Sequence, residues 1–335
     1  MPETEADLQD LGVFRIPVPV PFPQAGGPVN LYLLEEAGGG ILLFDAGLGS
    51  EDGMAAIEEG FRRLGRRFDE VTRIVVSHGH VDHFGAARWI QERHGGAPPV
   101  YAHPADQPKI TEAGPRWKEL APRYGAHLVH LGVPLEVLAT IAREGERSHG
   151  YSRRLAGALP IGEGEVLHTR HLTLEVQHMP GHTPGLLCLY DRARNLFFSD
   201  DHLLEKVSPN PLIELGPDGG PSGFRPLVAY VASVLRMRAL EVDLVLPGHG
   251  PPFGDHRGVI DKLLAFYEKR QARILDLLAP GAATPYQVSL ALFPKARSTD
   301  IFLTVSETIA NLEVLEDRGA VTREGGDVVA FRRAG

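Results

Sequence analysis

From Ser77 to Gly85 the chain reads Ser-His-Gly-His-Val-Asp-His-Phe-Gly, which places three imidazoles and a carboxylate within six residues. Imidazole is the commonest nitrogen donor to a borderline-soft cation, and aspartate adds a hard oxygen. On a tight turn His78 and His80 can face one ion while Asp82 and His83 face a second, and Gly79 lets the backbone fold that closely. A row of surface histidines would have the same composition. What argues against it is context, because the β-branched run Val71 to Val76 leads straight into the turn and reads as a buried strand.

Three later stretches share that context. Met179-Pro-Gly-His182-Thr-Pro-Gly185 holds a histidine between two Pro/Gly pairs, after a strand ending near Gln177. Leu196-Phe-Phe-Ser-Asp200-Asp201-His202 is a short apolar run that ends in acid. Asp243-Leu-Val-Leu-Pro-Gly-His249-Gly250 is a strand ending in a glycine-flanked histidine.

The elements that must position these residues are short strands and amphipathic helices. Residues 13–20 alternate but are broken by prolines, which suits an edge strand. Strands at 29–35 and 41–44 flank a glycine turn, Ser50 caps a helix with Met54, Ile57, Phe61 and Leu64 on one face, and strand 71–76 follows. A helix over 85–93, a strand at 99–102 and a helix opening at Ser222, with Leu227, Val231, Val234 and Leu235 inward, complete a sheet with helices outside it.

Residues 104–164 break that rhythm. They predict at least one helix, opening at Pro134, and carry Trp117, Tyr124, His127, His130, His149 and Tyr151. A long apolar insertion of this kind reads as a cap over the site, its histidines individually as surface or hydrogen-bonded residues. The C-terminal stretch 257–335 predicts helices at 258–278 and from Thr284-Pro285 to Phe293. A third helix opens with a Thr304/Glu307 capping box and carries Ile309, Leu312 and Leu315, and a two-stranded wing spans 321–322 and 328–331.

Four strand ends presenting His or Asp in this order resemble the metallo-β-lactamase superfamily of hydrolases, over roughly residues 10 to 256. The resemblance implies an αββα metallo-β-lactamase sandwich in residues 1–256, with the helical insertion at 104–164, and a small winged-helix-like domain in 257–335. That tail is similar to the one in the branch of lactamase-β-2-like proteins. By the same resemblance His78, His80 and His182 bind a first divalent cation, Asp82, His83 and His249 a second, and Asp201 bridges them. Asp201 is preferred to Asp200 because it takes the aspartate position of the family's Gly-Asp pair, with Asp200 where the glycine usually stands. Cys188 lies mid-strand and is no bridging ligand.

Two cations about 3.5–4 Å apart can share a water and lower its pKa towards 7, while one polarises a carbonyl or phosphoryl oxygen. Asp82 would then orient the nucleophile as well as bind metal, with Asp45 and Ser77 as candidates for orienting the imidazoles. Zinc is the first expectation for the metal, with iron or manganese as alternatives. The expected activity is hydrolysis of an acyl thioester of the coenzyme A kind, or another small ester or lactone. The alternatives are a phosphodiesterase or ribonuclease of the same superfamily, and a non-catalytic metal-binding regulator with a winged-helix output.

A formal charge of −9 argues against a polyanionic partner. The third C-terminal helix carries Glu307, Glu313, Glu316 and Asp317 against Arg318, which would repel nucleic acid phosphate. The single cysteine excludes an internal disulfide, and there is no apolar run of membrane-spanning length. The acidic N-terminus lacks the apolar core of a signal peptide, so a cytoplasmic enzyme with a small-molecule substrate is expected. The oligomeric state is left open, a homodimer included.

Overall fold

The computed structural model of the chain describes residues 5–216 and 222–334, with the backbone alone of 5, 6 and 113–117. The side chain of Trp117 therefore lies outside the described residues. Two sheets face each other. The first is six-stranded, in the order β1 (Val13–Val18), β2 (Val29–Glu35), β3 (Ile41–Phe44), β4 (Val71–Val75), β5 (Val100–Ala102), β6 (Leu159–Pro160). β2 and β3 form the expected hairpin, with Tyr32 opposite Phe44, and from β3 to β6 the strands run parallel. β1 is an edge, as Pro17 requires of a residue without an N–H.

The second sheet has the spatial order β11-β10-β9-β8-β7, from β7 (Val166–His168), β8 (Thr173–His178), β9 (Leu187–Asp191), β10 (Leu196–Asp200) and β11 (Leu244–Pro247). β10 and β11 are parallel and the other pairs antiparallel.

Side-chain alternation sends successive residues of each strand to opposite faces, and both faces are covered, so the strands read as unbroken apolar runs. Leu34, Leu42, Phe44 and Val75 of the first sheet meet Val176, Leu189, Phe198 and Leu246 of the second in the space between. The outward Leu31, Leu33 and Leu43 pack on α2 (Glu51–Arg63) and, beyond the short α3 (Val81–Phe84), on α4 (Ala87–His94). The outward Cys188, Tyr190, Phe197 and Val245 pack on α8 (Pro226–Arg238) and α9 (His256–Leu277). The layers are helix, sheet, sheet, helix, the αββα sandwich expected. Ser50 caps α2 by accepting from Gly53 N at 3.0 Å.

Several boundaries differ from expectation. A short helix, α1 (Glu5–Asp10), precedes β1. Helix α8 opens at Pro226, not Ser222, because proline's fixed φ and missing N–H suit a first helical position. With that start Leu227, Tyr230, Val234 and Met237 share the buried face, and Leu235 is turned out at 49% exposure. The insertion holds three helices, α5 (Gln107–Thr111), α6 (Ala113–His130) and α7 (Leu135–His149).

In the C-terminal stretch α10 (Pro285–Leu292) carries a capping box between Thr284 and Gln287. α11 (Ile301–Asp317) opens before Thr304, so the expected Thr304/Glu307 box is absent. Thr304 Oγ1 instead donates back to Ile301 O at 3.2 Å, and Glu307 pairs with Arg270 of α9. A hairpin of β12 (Val321–Glu324) and β13 (Ala330–Arg333) closes the chain.

The insertion and the C-terminal helices share one core. Leu128, Leu131 and Ile141 pack with Ile274, Val288, Val305, Leu312 and Phe331. We refer to them together as the lobe. No helix among the described residues is long and apolar enough to cross a membrane.

Candidate metal centre

The chemistry-bearing residues lie where strands end at one rim of the sandwich. β4 runs into the turn 77–83, β3 into Asp45, β8 into the loop bearing His182, β10 into Asp200 and Asp201, and β11 into His249. Donor atoms of His78, His80, His182 and Asp201 lie within 4.8 Å of one another, as do those of Asp82, His83 and His249. Asp201 faces both groups: its Oδ2 is 3.4 Å from His182 Nε2 and 3.5 Å from His83 Nε2, and its Oδ1 is 3.7 Å from His249 Nε2. Gly248 permits that approach, because a Cβ there would come within 2.5 Å of Asp201 Oδ1.

Three of the imidazoles are held from behind at Nδ1. His83 Nδ1 meets Asp45 Oδ2 at 2.8 Å, and Asp45 also accepts from Ser77 N at 2.7 Å and Ser77 Oγ at 3.0 Å. His182 Nδ1 contacts Asn210 O and His249 Nδ1 contacts Gly27 O, both at 3.1 Å. Asp45 and Ser77 thus stand behind the imidazoles, as the sequence suggested. With Nδ1 as donor, the neutral ring presents its lone pair at Nε2.

Asp200 contributes from the same side. Its Oδ1 lies 3.1 Å from His78 Nδ1 and 3.3 Å from His83 Nδ1, away from the Nε2 atoms that face Asp201. Its φ of +48° is in the left-handed region, where glycine is the residue without a Cβ penalty. Aspartate tolerates that conformation better than most residues, and here its carboxylate ties the two imidazoles together.

The donor set fits divalent cations. His78 Nε2, His83 Nε2, His182 Nε2 and Asp201 Oδ1 are buried with no hydrogen-bond partner, a costly state unless a cation completes them. The carboxylates also draw positive charge onto the rings. Burial lowers His83, but Asp200, Asp201, Asp82 and Asp45 raise it well above the ordinary value, and His249 is pushed up to about 9 by Asp201 and Asp82 against its burial. His78 and His80 go the other way, lowered by burial and neighbouring imidazoles.

One residue that sequence reasoning missed is Asp106. Fully buried, it accepts from Gly79 N at 2.9 Å, Thr183 Oγ1 at 2.6 Å and Gly185 N at 3.2 Å. It therefore staples the turn bearing His78 and His80 to the loop bearing His182. Burial raises its pKa, but Lys109 and these hydrogen bonds hold it below the usual range. Lys109 Nζ, 3.7 Å from Asp106, also donates to Glu214 Oε1 at 2.5 Å. No local pattern in the sequence marks it, because its partners come from the turns that follow other strands.

Asn210 and Ser306 were equally invisible in the sequence. Asn210, whose carbonyl holds His182, donates from Nδ2 to Leu303 O of α11 at 3.3 Å, and Ser306 Oγ accepts from Ile213 N at 3.2 Å. The C-terminal helices are thus wired to the loop that supports a histidine of the centre. Among the insertion histidines, His130 and His149 make backbone contacts through Nδ1, while His149 also lines a cavity of about 160 Å³ that opens beside Gly79 and His80. Cys188 is buried in β9 and donates to Ser199 O, remote from a bridging role.

Comparison with known proteins agrees with this geometry. The model of the metallo-β-lactamase superfamily matches residues 25–249. The Bacillus subtilis protein named probable metallo-hydrolase YqjP is 29% identical over 324 residues, covering 96% of this chain and 97% of that protein. A metallo-β-lactamase family protein of Thermus thermophilus, TTHA1429, superposes with a TM-score of 0.80 at 30% identity, covering 96% of this chain and 99% of that one. The human acyl-coenzyme A thioesterase MBLAC2 is 34% identical over 103 residues, only 30% of this chain and 33% of that protein. Strand-end donors, sandwich and relatives agree, and the chain belongs to the metallo-β-lactamase superfamily as one of its metallo-hydrolases.

Proposed function

We propose that His78, His80 and His182 hold one divalent cation, Asp82, His83 and His249 a second, and Asp201 lies between them as a shared ligand. The single observation that carries this is the position of the Asp201 carboxylate, 3.4 Å from His182 Nε2 and 3.5 Å from His83 Nε2. Asp200 addresses the Nδ1 side of the rings and orients them. Zinc is the first choice, with iron or manganese accepted by the same donors. Bound cations supply Lewis acidity and a source of hydroxide at neutral pH.

The protein's own groups then fix the geometry. Asp82, held below the usual carboxylate range by His83 and His249 against its burial, stays ionised and can align the attacking nucleophile. Asp45, Ser77, Asp200, Asn210 and Gly27 keep the rings of His78, His83, His182 and His249 from rotating away.

The substrate we favour is an acyl thioester of the coenzyme A kind, with a small ester or lactone next. Support comes from the cavity beside His80, whose lining is mostly apolar, and from the partial likeness to MBLAC2. A nucleic-acid-reading role draws no support from α11, which is enclosed by α8, α9 and α10 and buries Ser306, Thr308 and Asn311. Elemental analysis of gently purified protein should give about two equivalents of metal per chain. Metal-stripped protein should lose hydrolysis of acyl-CoA and regain it on reloading. No transition metal, with none taken up on soaking, would sink the centre. Preference by a wide margin for a bis-aryl phosphodiester or single-stranded RNA would replace the thioesterase reading with a phosphodiesterase one.

A further inference from the structure

The cavity beside His80 is walled by three separate parts of the chain: Leu120 and Tyr124 of α6, Ile213 and Leu215 of the loop after β10, and Phe302 of α11. Tyr124 and Phe302 meet edge to face with ring centroids 5.9 Å apart, one from the insertion and one from the C-terminal helices. On the sandwich side the cavity begins at Gly79 and His80. The charged side chains in its wall, Lys109 and Glu214, are paired with each other, and Lys109 also faces Asp106. They offer no unclaimed charge to an anionic substrate group. At about 160 Å³ the cavity is also smaller than the ~300 Å³ typical of the smaller drug-sized sites, which favours a narrow chain over a fused ring.

We propose that this cavity is the subsite for a straight acyl chain and that Tyr124 and Phe302 together set the chain length it accepts. The C-terminal helices are on this account a specificity element of the hydrolase. The proposal rests on the thioesterase reading for the bond that is cleaved, but the subsite can be tested without it. Because the two rings come from segments far apart in sequence, the accepted length depends on both parts of the lobe.

The test uses the metal-loaded full chain with acyl-CoA thioesters from acetyl to palmitoyl, and calorimetric binding of the matching free fatty acids to the same preparation. We expect kcat/KM to rise about fourfold per added methylene, the equivalent of about 0.8 kcal/mol, and then to level off. Phe302→Ala should move that plateau to longer chains, and Phe302→Trp to shorter ones. Phe302→Leu and Tyr124→Leu keep an apolar side chain and carry the test if the alanine variant does not fold, with metal content checked in each. Thioester turnover that ignores chain length, or a plateau that no substitution at either ring moves, overturns the subsite and leaves the thioesterase reading standing. Absent thioester turnover, with fatty-acid affinity that climbs with length and shifts with Phe302, overturns the thioesterase reading and leaves the subsite. Absent thioester turnover together with fatty-acid affinity that ignores chain length overturns both.

Discussion

The candidate metal centre draws four of its possible donors from the six residues 78–83 and the rest from strand ends of one sandwich, whereas the lobe joins residues 107–149 to residues after 256 in a common core. In the first region the sheet supplies precision: parallel strands end at the same rim, so side chains just past them converge without long-range design. In the second, no single segment makes a wall, and the cavity lies where α6, the loop after β10 and α11 meet beside the histidine turn. The candidate donors are thus fixed along one sheet rim, and the cavity wall by packing between segments far apart in the chain.

Substitutions should separate the two regions. The largest effect belongs to Asp201→Ala, which removes the carboxylate facing the Nε2 atoms of both donor groups. Turnover should fall by ~10³ or more, and metal content should drop below that of wild type, by elemental analysis. Retention of the full metal complement would move the shared role to Asp200. In the lobe, Arg270→Ala strands Glu307 in a buried site and removes a cation from the faces of Phe266 and Phe293. Breaking such a pair costs about 3–5 kcal/mol, read by urea unfolding, and the metal content should stay at the wild-type level.

Acidity should act on the two regions with opposite sign. Glu313 of α11 is pushed up to about 7 by burial, which outweighs Arg225 and Arg323. Its folded pKa lies above the unfolded one, so its contribution is complete below about pH 4.3 and is lost as pH rises through 7, by up to roughly 3 kcal/mol. Glu313→Gln should remove that slope from unfolding midpoints measured between pH 5 and 8. Asp106 is depressed instead, so what it adds is present above the usual carboxylate value and is lost as pH falls through its lower folded value. The smallest effect is that of Asp106→Asn. It should weaken metal binding roughly 10–100-fold in a chelator competition and alter the absorption of the cobalt-substituted protein. An unchanged spectrum would reduce Asp106 to a purely structural residue.

The contrast also explains what the sequence made legible. A donor cluster at a strand end is a local pattern, so the turn at 78–83 and the strand-end His182 and His249 stood out among the residues, while the choice of Asp201 over Asp200 came from the family resemblance. The residues alone indicated a sheet with helices outside it, and the two-sheet sandwich came from the family resemblance. Asp106 escaped because its partners Gly79, Thr183 and Gly185 lie up to 79 positions away, and nothing in its immediate neighbourhood marks it. The start of α11 was misplaced because Thr304 and Glu307 imitate a capping box, while the tertiary pair with Arg270 decides where Glu307 goes. Leu235 was assigned inward by a window opened at Ser222, and Pro226 fixed the true phase.

The common core of the lobe has a consequence for descent and for engineering. Leu128 and Ile141 on one side, and Ile274, Val305 and Leu312 on the other, fill a single interior from two distant stretches of chain. A chimera that took its insertion from one homologue and its tail from another would bring mismatched halves to that interior, and trimming either stretch alone would lay bare the other. The two segments must therefore be exchanged as a pair, and recombination that preserves a working enzyme has to carry both breakpoints at once.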